Sequence, residues 1–400
     1  MQNYDVDILV SGGGVAGLTA AAVFGAAGFS VLCVDPTPPV TDRDAEGSDL
    51  RTTAFLQPAQ ALLEKAGLWQ RVQADAAPLQ IMRIVDAGGA QPEPRVVKDF
   101  NATDLSDLPF GWNLSNWLLR REFMARLNDL PNVEFRPGTG TKSVFTRDAM
   151  ARVGLSDGSS VTCRLVIAAD GRNSPVRNAM GIKVKTTRYG QKALAFAVTH
   201  PIPHENVSTE IHRSGGPFTL VPLPDYQGMP SSAVVWMERG PEAMRLASLA
   251  EDDFEAAMTE RSCSLFGPLK LASRRSVWPI ISQVADRMQG ERVALVAEAA
   301  HVVPPIGAQG LNMSLGDMRV LLELAEAAPE RLGDARMLDT YNRRRHAEVR
   351  ARVAGIDLLN RASMLQSRPL RDLRAVGLNA IYSLAPVRKT MMQMGLGARG

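Results

Sequence analysis

The stretch DILVSGGGVAGLTAAAVFGAAGFSVLCVD, Asp7 to Asp35, decides the fold. Ile8-Leu9-Val10 reads as a short buried strand. Gly12-Gly13-Gly14-Val15-Ala16-Gly17 follows at once, and Leu18 to Ala27 is a run of helix formers and small apolar residues. Phe29 to Val34 reads as a second strand that stops on Asp35. Strand, glycine turn, helix, strand, acid is the order of a dinucleotide-binding unit. Its glycines have separate jobs. Gly12 permits the tight turn, Gly14 lets backbone approach a pyrophosphate, and Gly17 lets helix and strand pack closely. The helix start, reached through Val15 and Ala16, offers free N–H groups and a positive dipole end to the phosphates. Asp35 stands where a carboxylate accepts hydrogen bonds from a ribose diol. The motif alone does not choose between NAD and FAD.

The 400 residues hold enough chain for two or three domains' worth of core. No apolar run is long enough to span a bilayer. The start Met1-Gln2-Asn3-Tyr4-Asp5 lacks the basic and apolar regions of a secretory signal, so a cytoplasmic protein is expected. Cys33, Cys163 and Cys263 stand far apart, which fits neither a disulfide framework nor a metal site; a structural role is expected for all three. Residues 341–400 carry twelve Lys/Arg against three Asp/Glu, so the net charge of +3 divides into about +9 there and −6 before it.

Further along, Asp49-Leu50-Arg51-Thr52 leads into a helical pattern from Gln57 to Ala66 that ends at Gly67. Arg51, just ahead of that helix, is a natural phosphate or flavin contact. Residues 78–100 read as strands turned around Gly88-Gly89. Trp112 to Asp129 reads as a helix with Arg120-Arg121-Glu122 on its polar face, and Arg121 is taken as a cofactor contact. Residues 141–164 read as a β-meander. The strand Leu165 to Ala169 then stops on Asp170-Gly171, followed by Asn173-Ser174-Pro175, a cap and a first helical residue. That places Asp170 at the carboxyl end of a strand, where α/β sheets bind ligands. Residues 182–283 carry β-type alternation, many prolines and one helical segment, Asp252 to Cys263. Val293 to Val296 returns to a buried strand and runs into AEAAHVVPPIGAQGLN, Ala297 to Asn312, where a helix begins. A long arginine-rich helix is expected from Leu338 to Met364, and an amphipathic tail after it.

Three stretches thus stand in order: GGGVAG, DGRNSPVR and AEAAHVVPPIGAQGLN. Together they resemble the FAD-dependent aromatic hydroxylases of the para-hydroxybenzoate hydroxylase superfamily. Asp49-Leu50-Arg51-Thr52, Gln309-Gly310-Leu311-Asn312 and the tail Arg371-Asp372-Leu373-Arg374…Gly377-Leu378…Met394-Gly395 are similar to the ubiquinone-biosynthesis hydroxylases of the UbiH/UbiF type. The resemblance implies an α/β fold: a Rossmann-like FAD-binding domain, an inserted β-sheet-rich substrate domain and a C-terminal helical region. The expected division is 1–75, 106–181 and 284–335 for the FAD-binding domain, 76–105 and 182–283 for the substrate domain, and 336–400 for the C-terminal helices. FAD is the implied cofactor and NAD(P)H its transient reductant; an NAD-only dehydrogenase would leave the second and third motifs unexplained. Gly12, Gly14, Gly17 and Asp35 would hold the ADP half, Asp170 would lie near the pyrophosphate, and Glu298 would bond the ribityl chain. Gly310, Leu311 and Asn312 would meet the flavin ring at a helix N-terminus. The implied reaction hydroxylates a polyprenylated phenol with O2 through a flavin hydroperoxide.

The family's third motif usually reads Gly-Asp-Ala-Ala-His. Ala297-Glu298 stand at its first two positions here, and Gly307-Ala308 reverse a common Ala-Gly order. His301 is expected to position rather than to transfer a proton, so no catalytic base is named. His200, His204 and His212 lack ligand-like spacing. Two other functions stay open: a hydroxylase of a small soluble aromatic acid, with Arg213 and Tyr226 as clamp candidates, and a non-catalytic flavoprotein subunit of a ubiquinone-biosynthesis complex. No nucleic-acid partner is expected. The basic tail reads either as a solvated helix face or, with Leu384, Met391, Met392, Met394 and Leu396, as a peripheral contact with the inner face of the membrane.

Overall fold

A computed structural model describes residues 4–213, 215–364, 382–383 and 385–396. The opening stretch forms the strand Val6–Ser11, the helix Val15–Ala26 and the strand Val31–Asp35. Ile8, Leu9 and Val10 are fully buried, as a strand covered on both faces requires. In the sheet, Val6–Ser11 lies between Val31–Asp35 and Ser160–Ala168, parallel to both. Val133–Pro137 extends it beyond Val31–Asp35, and Val293–Leu295 pairs in parallel with Ser160–Ala168. Thr141–Thr146 and Ala151–Leu155 complete the meander by antiparallel pairing.

A second sheet runs in the order His301–Val302, Ser276–Ala285, Val184–Thr199, Met229–Arg239, Pro217–Tyr226, Val207–His212, Ile81–Asp86, Val96–Asn101. Its two faces have different neighbours. Leu194, Phe196, Val234 and Trp236 point to one side and pack with Phe254 and Met258 of the helix Glu251–Arg261. Ala193 and Met237, a cross-strand pair on the opposite face, join the core that holds the parallel sheet. The long helix Ala335–Ser363 braces both sheets: the Tyr341 hydroxyl donates to the Leu295 carbonyl at 2.7 Å, and the Tyr189 hydroxyl donates to Asp357 at 2.6 Å.

Two local expectations are corrected. Gly111–Ser115 is a strand, and the helix begins only at Asn116. Trp112 continues the apolar helical pattern, but Gly111–Ser115 pairs with both Thr52–Leu56 and Ala77–Leu79, forming a small third sheet. A Cβ at Gly111 would lie 2.2 Å from the Phe55 carbonyl oxygen, so the glycine sets this close pairing. Between Met229–Arg239 and Glu251–Arg261 lies a second helix, Gly240–Ala247, started by Pro241. Cys33 and Cys163 are buried, and burial pushes the Cys163 thiol up to about 12, so it stays protonated and packs as an apolar side chain. Tail residues 371–378 and Leu384, and the side chains of Met394 and Leu396, lie outside the described residues.

Candidate functional site

Four parallel strands end side by side, and each carboxyl end carries a motif residue. Val293–Leu295 leads to Ala297-Glu298, Ser160–Ala168 to Asp170, Val6–Ser11 to the glycine turn, and Val31–Asp35 ends on Asp35. The register fixes this edge: Ala168 pairs with Leu295 and with Ser11, and Ser11 pairs with Val34. Stretches almost 300 residues apart therefore meet where open α/β sheets place their ligands.

The glycine turn is shaped for a close-lying group. Gly12 has φ +107°, and a Cβ there would sit 2.4 Å from the Ala169 carbonyl oxygen. A Cβ on Gly17 would sit 1.7 Å from the Gly12 oxygen, so helix and turn touch through bare backbone. Gly14 differs: nothing lies within 4 Å of its would-be Cβ. The space above Gly14, at the N-terminus of Val15–Ala26, is thus open on the side that the helix dipole makes positive. Asp35 is held in place, its carboxylate accepting the Gly13 N–H at 2.5 Å and the Thr37 N–H at 2.8 Å.

Asp170 accepts the Val176 N–H through Oδ2 at 3.2 Å, while its Oδ1 is buried without a hydrogen-bond partner. Burial pushes its carboxyl above the usual carboxylate range. Ser174 caps the short helix Pro175–Ala179 by accepting the Arg177 N–H. The buried Arg177 guanidinium reaches across to the third motif and donates to the Ala299 carbonyl at 2.9 Å.

On the third motif, Ala297 is buried with φ +53°, a left-handed conformation that glycine adopts freely and alanine resists. The Arg51 pKa is raised first by its hydrogen bond to Asp49 and, as the smallest contribution, by the exposed Glu298 beside Ala297. That bond is bidentate, with both contacts at 2.7 Å. Asp49 also accepts from Asn116 at 3.1 Å and Arg120 at 3.4 Å. Arg121, the contact expected from sequence, turns away: it pairs with Glu122 at 2.9 Å and stacks over Trp117. Arg120 is the neighbour that faces the cluster, and its Nε is buried without a partner.

The helix Gln309–Ala327 starts from Ala308, another left-handed alanine at φ +55°. Gly310 and Leu311 lie in its first turn, where N–H groups lack helical partners. The Asn312 side chain is spent on protein backbone, accepting the Leu56 N–H at 2.9 Å and donating to the Ala54 carbonyl at 2.7 Å. It ties that helix start to Thr52–Leu56, the strand that follows Arg51. His301 is buried beneath the edge, its Nε2 2.7 Å from Asp317. His200 and His204 make their contacts within the second sheet, to Ser232 and to the Leu223 carbonyl.

A family model described as an FAD binding domain matches residues 5–356. The chain belongs to this family of FAD-dependent monooxygenases. It is 32% identical over 396 residues to the ubiquinone hydroxylase UbiL of Rhodospirillum rubrum, covering 98% of this chain and 89% of that protein. It is 26% identical to the 3-demethoxyubiquinol 3-hydroxylase of Escherichia coli, covering 99% and 100%. Among solved structures, p-nitrophenol 4-monooxygenase PnpA of Pseudomonas putida superposes over the whole of both chains with a TM-score of 0.80 at 20% identity, and so shares the fold. For a member of this family the residues on the sheet edge fit FAD. The open face over Gly14 suits a pyrophosphate, the unpartnered Asp170 Oδ1 can accept a ligand's hydrogen bond, and Glu298 and Arg51 flank the next strand end.

Sequence reasoning did not find Asp317, Arg120 or Arg345 as parts of this site. Asp317 and Arg345 form a buried pair at 2.9 Å between helices, a relation that no short spacing announces.

Proposed function

We propose that this FAD-dependent monooxygenase hydroxylates the ring of a polyprenylated phenol in ubiquinone biosynthesis. The observation that carries this reading is the similarity along almost the whole chain to ubiquinone hydroxylases. The cofactor-side face of the second sheet agrees with it. On that face Ala193, Ala195, Ala197, Ala233, Val235 and Met237 form three successive uncharged cross-strand pairs, bounded by the pairs Gln191–Arg239 and Thr199–Ser231. Small apolar side chains leave room for a flat ring, exclude water and provide no counter-ion for a carboxylate.

FAD, once reduced by NAD(P)H, supplies the oxygen-activating chemistry. The protein's share is binding and orientation. The turn Gly12–Gly17, with Val15 and Ala16, cradles the pyrophosphate, and Asp35 takes the ribose. Asp170, Arg51 and Glu298 line the middle of the cofactor, with Arg120 rather than Arg121 behind them. The N–H groups of Gly310 and Leu311 at the start of Gln309–Ala327 favour negative charge on the ring, and Asn312 fixes that helix start.

A hydroxylase of a small aromatic acid would need a cation over the ring. Arg213 pairs with Glu260 of Glu251–Arg261, the helix that packs on the opposite face of the sheet, and Tyr226 lies under Arg43 at 3.8 Å. Neither is a free clamp on the cofactor side. The protein's place is at the inner face of the membrane, where a polyprenylated substrate resides and where other enzymes of the pathway would be its partners. No helix among the described residues is long and apolar enough to cross a bilayer; the contact proposed is peripheral.

Deleting the gene and extracting the quinones tests this reading. Loss of ubiquinone with build-up of a precursor lacking one ring hydroxyl is the expected result, and the purified protein should consume NAD(P)H and O2 when given that precursor. Normal ubiquinone in the deletion strain refutes it. A missing quinone with a protein that never turns over the precursor points to the non-catalytic subunit instead.

A further inference from the structure

Beneath the cofactor edge lies a buried polar cluster that the site has not yet used. Asp317, His301 and Arg345 are each at most 2% exposed. The two Asp317 oxygens have separate duties. Oδ1 accepts from Arg345 Nε at 2.9 Å, while Oδ2 lies 2.7 Å from His301 Nε2 and accepts the Ala297 N–H at 3.3 Å. Arg345 is held in turn by the Met313 carbonyl at 3.1 Å and by Glu348 at 2.6 Å. Burial pulls the Asp317 pKa up, but the neighbouring His301 and Arg345 outweigh it and hold the group below its ordinary value.

The Ala297 N–H is the informative partner. Ala297 sits at φ +53°, where an L-residue with a Cβ is disfavoured, and it is buried, so water cannot satisfy its amide. The residue that follows is Glu298, whose direction depends on this left-handed corner. Asp317 is anchored from the far side by Arg345 of the long helix, so the corner is braced by an element remote from the cofactor.

We propose that Asp317 is a positioning residue for the cofactor: through the Ala297 N–H it holds the left-handed corner that aims Glu298 at FAD, and so offsets the presence of alanine at a backbone position suited to glycine. The proposal concerns cofactor retention and is independent of the substrate.

The test is a double-mutant cycle read as FAD affinity by titration of the apoprotein, with the visible circular dichroism of the bound flavin as a second readout. Asp317→Asn keeps the shape, but an amide whose oxygen remains on Arg345 turns its NH2 toward the Ala297 N–H, donor against donor. Affinity should fall at least tenfold, and the flavin dichroism should change. Ala297→Gly should then recover at least fivefold in the D317N background, and more than it gains in the wild-type background, because glycine needs no brace at positive φ. A purely structural Asp317 would lose stability without that recovery. Should D317N not fold, D317N/R345Q, which leaves no unmatched buried cation, takes its place in the same cycle. Wild-type affinity in the folded Asp317 variant, or equal effects of A297G in both backgrounds, overturns the proposal.

Discussion

Arg177 Nη1 donates to the Ala299 carbonyl at 2.9 Å, joining the second motif to the third from beneath the cofactor edge. Its Nη2 donates to the Arg172 carbonyl at 2.9 Å, so one buried guanidinium fixes two turns. Arg177→Met fills much of the volume and leaves both carbonyls without this donor. Each such loss costs about 1–3 kcal/mol. The variant should lose about 2–4 kcal/mol in urea unfolding and release FAD faster than the wild type. Stability within about 0.5 kcal/mol of wild type would show that water replaces the bonds.

The two neighbouring glycines separate folding from binding. Gly17→Ala places a methyl 1.7 Å from the Gly12 oxygen, so helix and turn must part. That variant should be unstable with or without FAD. Gly14→Ala meets nothing within 4 Å. Its apoprotein should melt within a degree or two of wild type, while FAD affinity falls about tenfold or more, equivalent to about 1.4 kcal/mol. Thermal melts and flavin titrations of the two variants check this, and an unchanged affinity in G14A would remove the phosphate from that face.

Arg120 and Arg121 differ by one position, about 100° around the helix Asn116–Asn128. Arg120 points to Asp49 and carries a buried, unpartnered Nε; Arg121 is about half exposed and pairs with Glu122. Arg120→Ala should weaken FAD binding by about 1–2 kcal/mol. Arg121→Ala should change it by less than about 0.5 kcal/mol, as for other exposed pairs. Equal losses in flavin titrations of the two variants would count against the orientation seen here.

This pair also shows where sequence reasoning stops. The strand-end positions of the glycine turn, Asp35, Asp170 and Glu298 are readable because strand periodicity locates each end within a few residues. The Arg120/Arg121 choice depends on helix phase, and the helix start is obscured because Gly111–Ser115 pairs with two distant strands. The helix Gly240–Ala247 hid for a related reason: it is short and opens on Gly-Pro, a pair that reads as a turn. Asp317 and Arg345 meet only because two helices pack together. Nothing local in the chain requires a buried carboxylate at 317; its reason is a left-handed alanine twenty residues earlier.

The pH dependence follows from Asp170. Burial pushes its carboxyl above the ordinary value of 3.8, so the folded chain binds this proton more tightly than the unfolded chain does. Its contribution to stability is therefore complete below the unfolded value and is lost as pH rises through the folded one. One of its oxygens, Oδ1, is buried and unsatisfied, and burial disfavours the ionised form. Asp170→Asn should make the apoprotein more stable at pH 7, with an advantage that shrinks on acidification and is gone below about pH 3.9. With FAD bound the order should reverse by about 1 kcal/mol, because the amide replaces an acceptor the cofactor uses. Chemical denaturation across that range, with and without FAD, reads both signs; a D170N apoprotein less stable than wild type at pH 7 would contradict the burial argument.

The proposed membrane contact can be tested on the long helix. Leu358 and Leu359, near its C-terminal end, are 69% and 52% exposed, and Arg361 follows beside them. The helix Ala385–Leu396 adds exposed Met391 and the basic Arg388 and Lys389. Two exposed leucines beside arginine have the composition of an interfacial contact, in which apolar groups enter the headgroup region and cations stay with anionic lipid. Burying a leucine side chain is worth about 1.5–3 kcal/mol. Replacing both by serine should therefore lower partitioning onto anionic vesicles by about tenfold or more, and raising the salt concentration should weaken what remains. FAD content should not change, since both side chains are exposed on the surface of the long helix. Flotation of the full chain with vesicles containing and lacking anionic lipid measures each effect. Equal flotation of L358S/L359S and wild type would mean that these leucines face water in the working protein and that any lipid contact is made elsewhere.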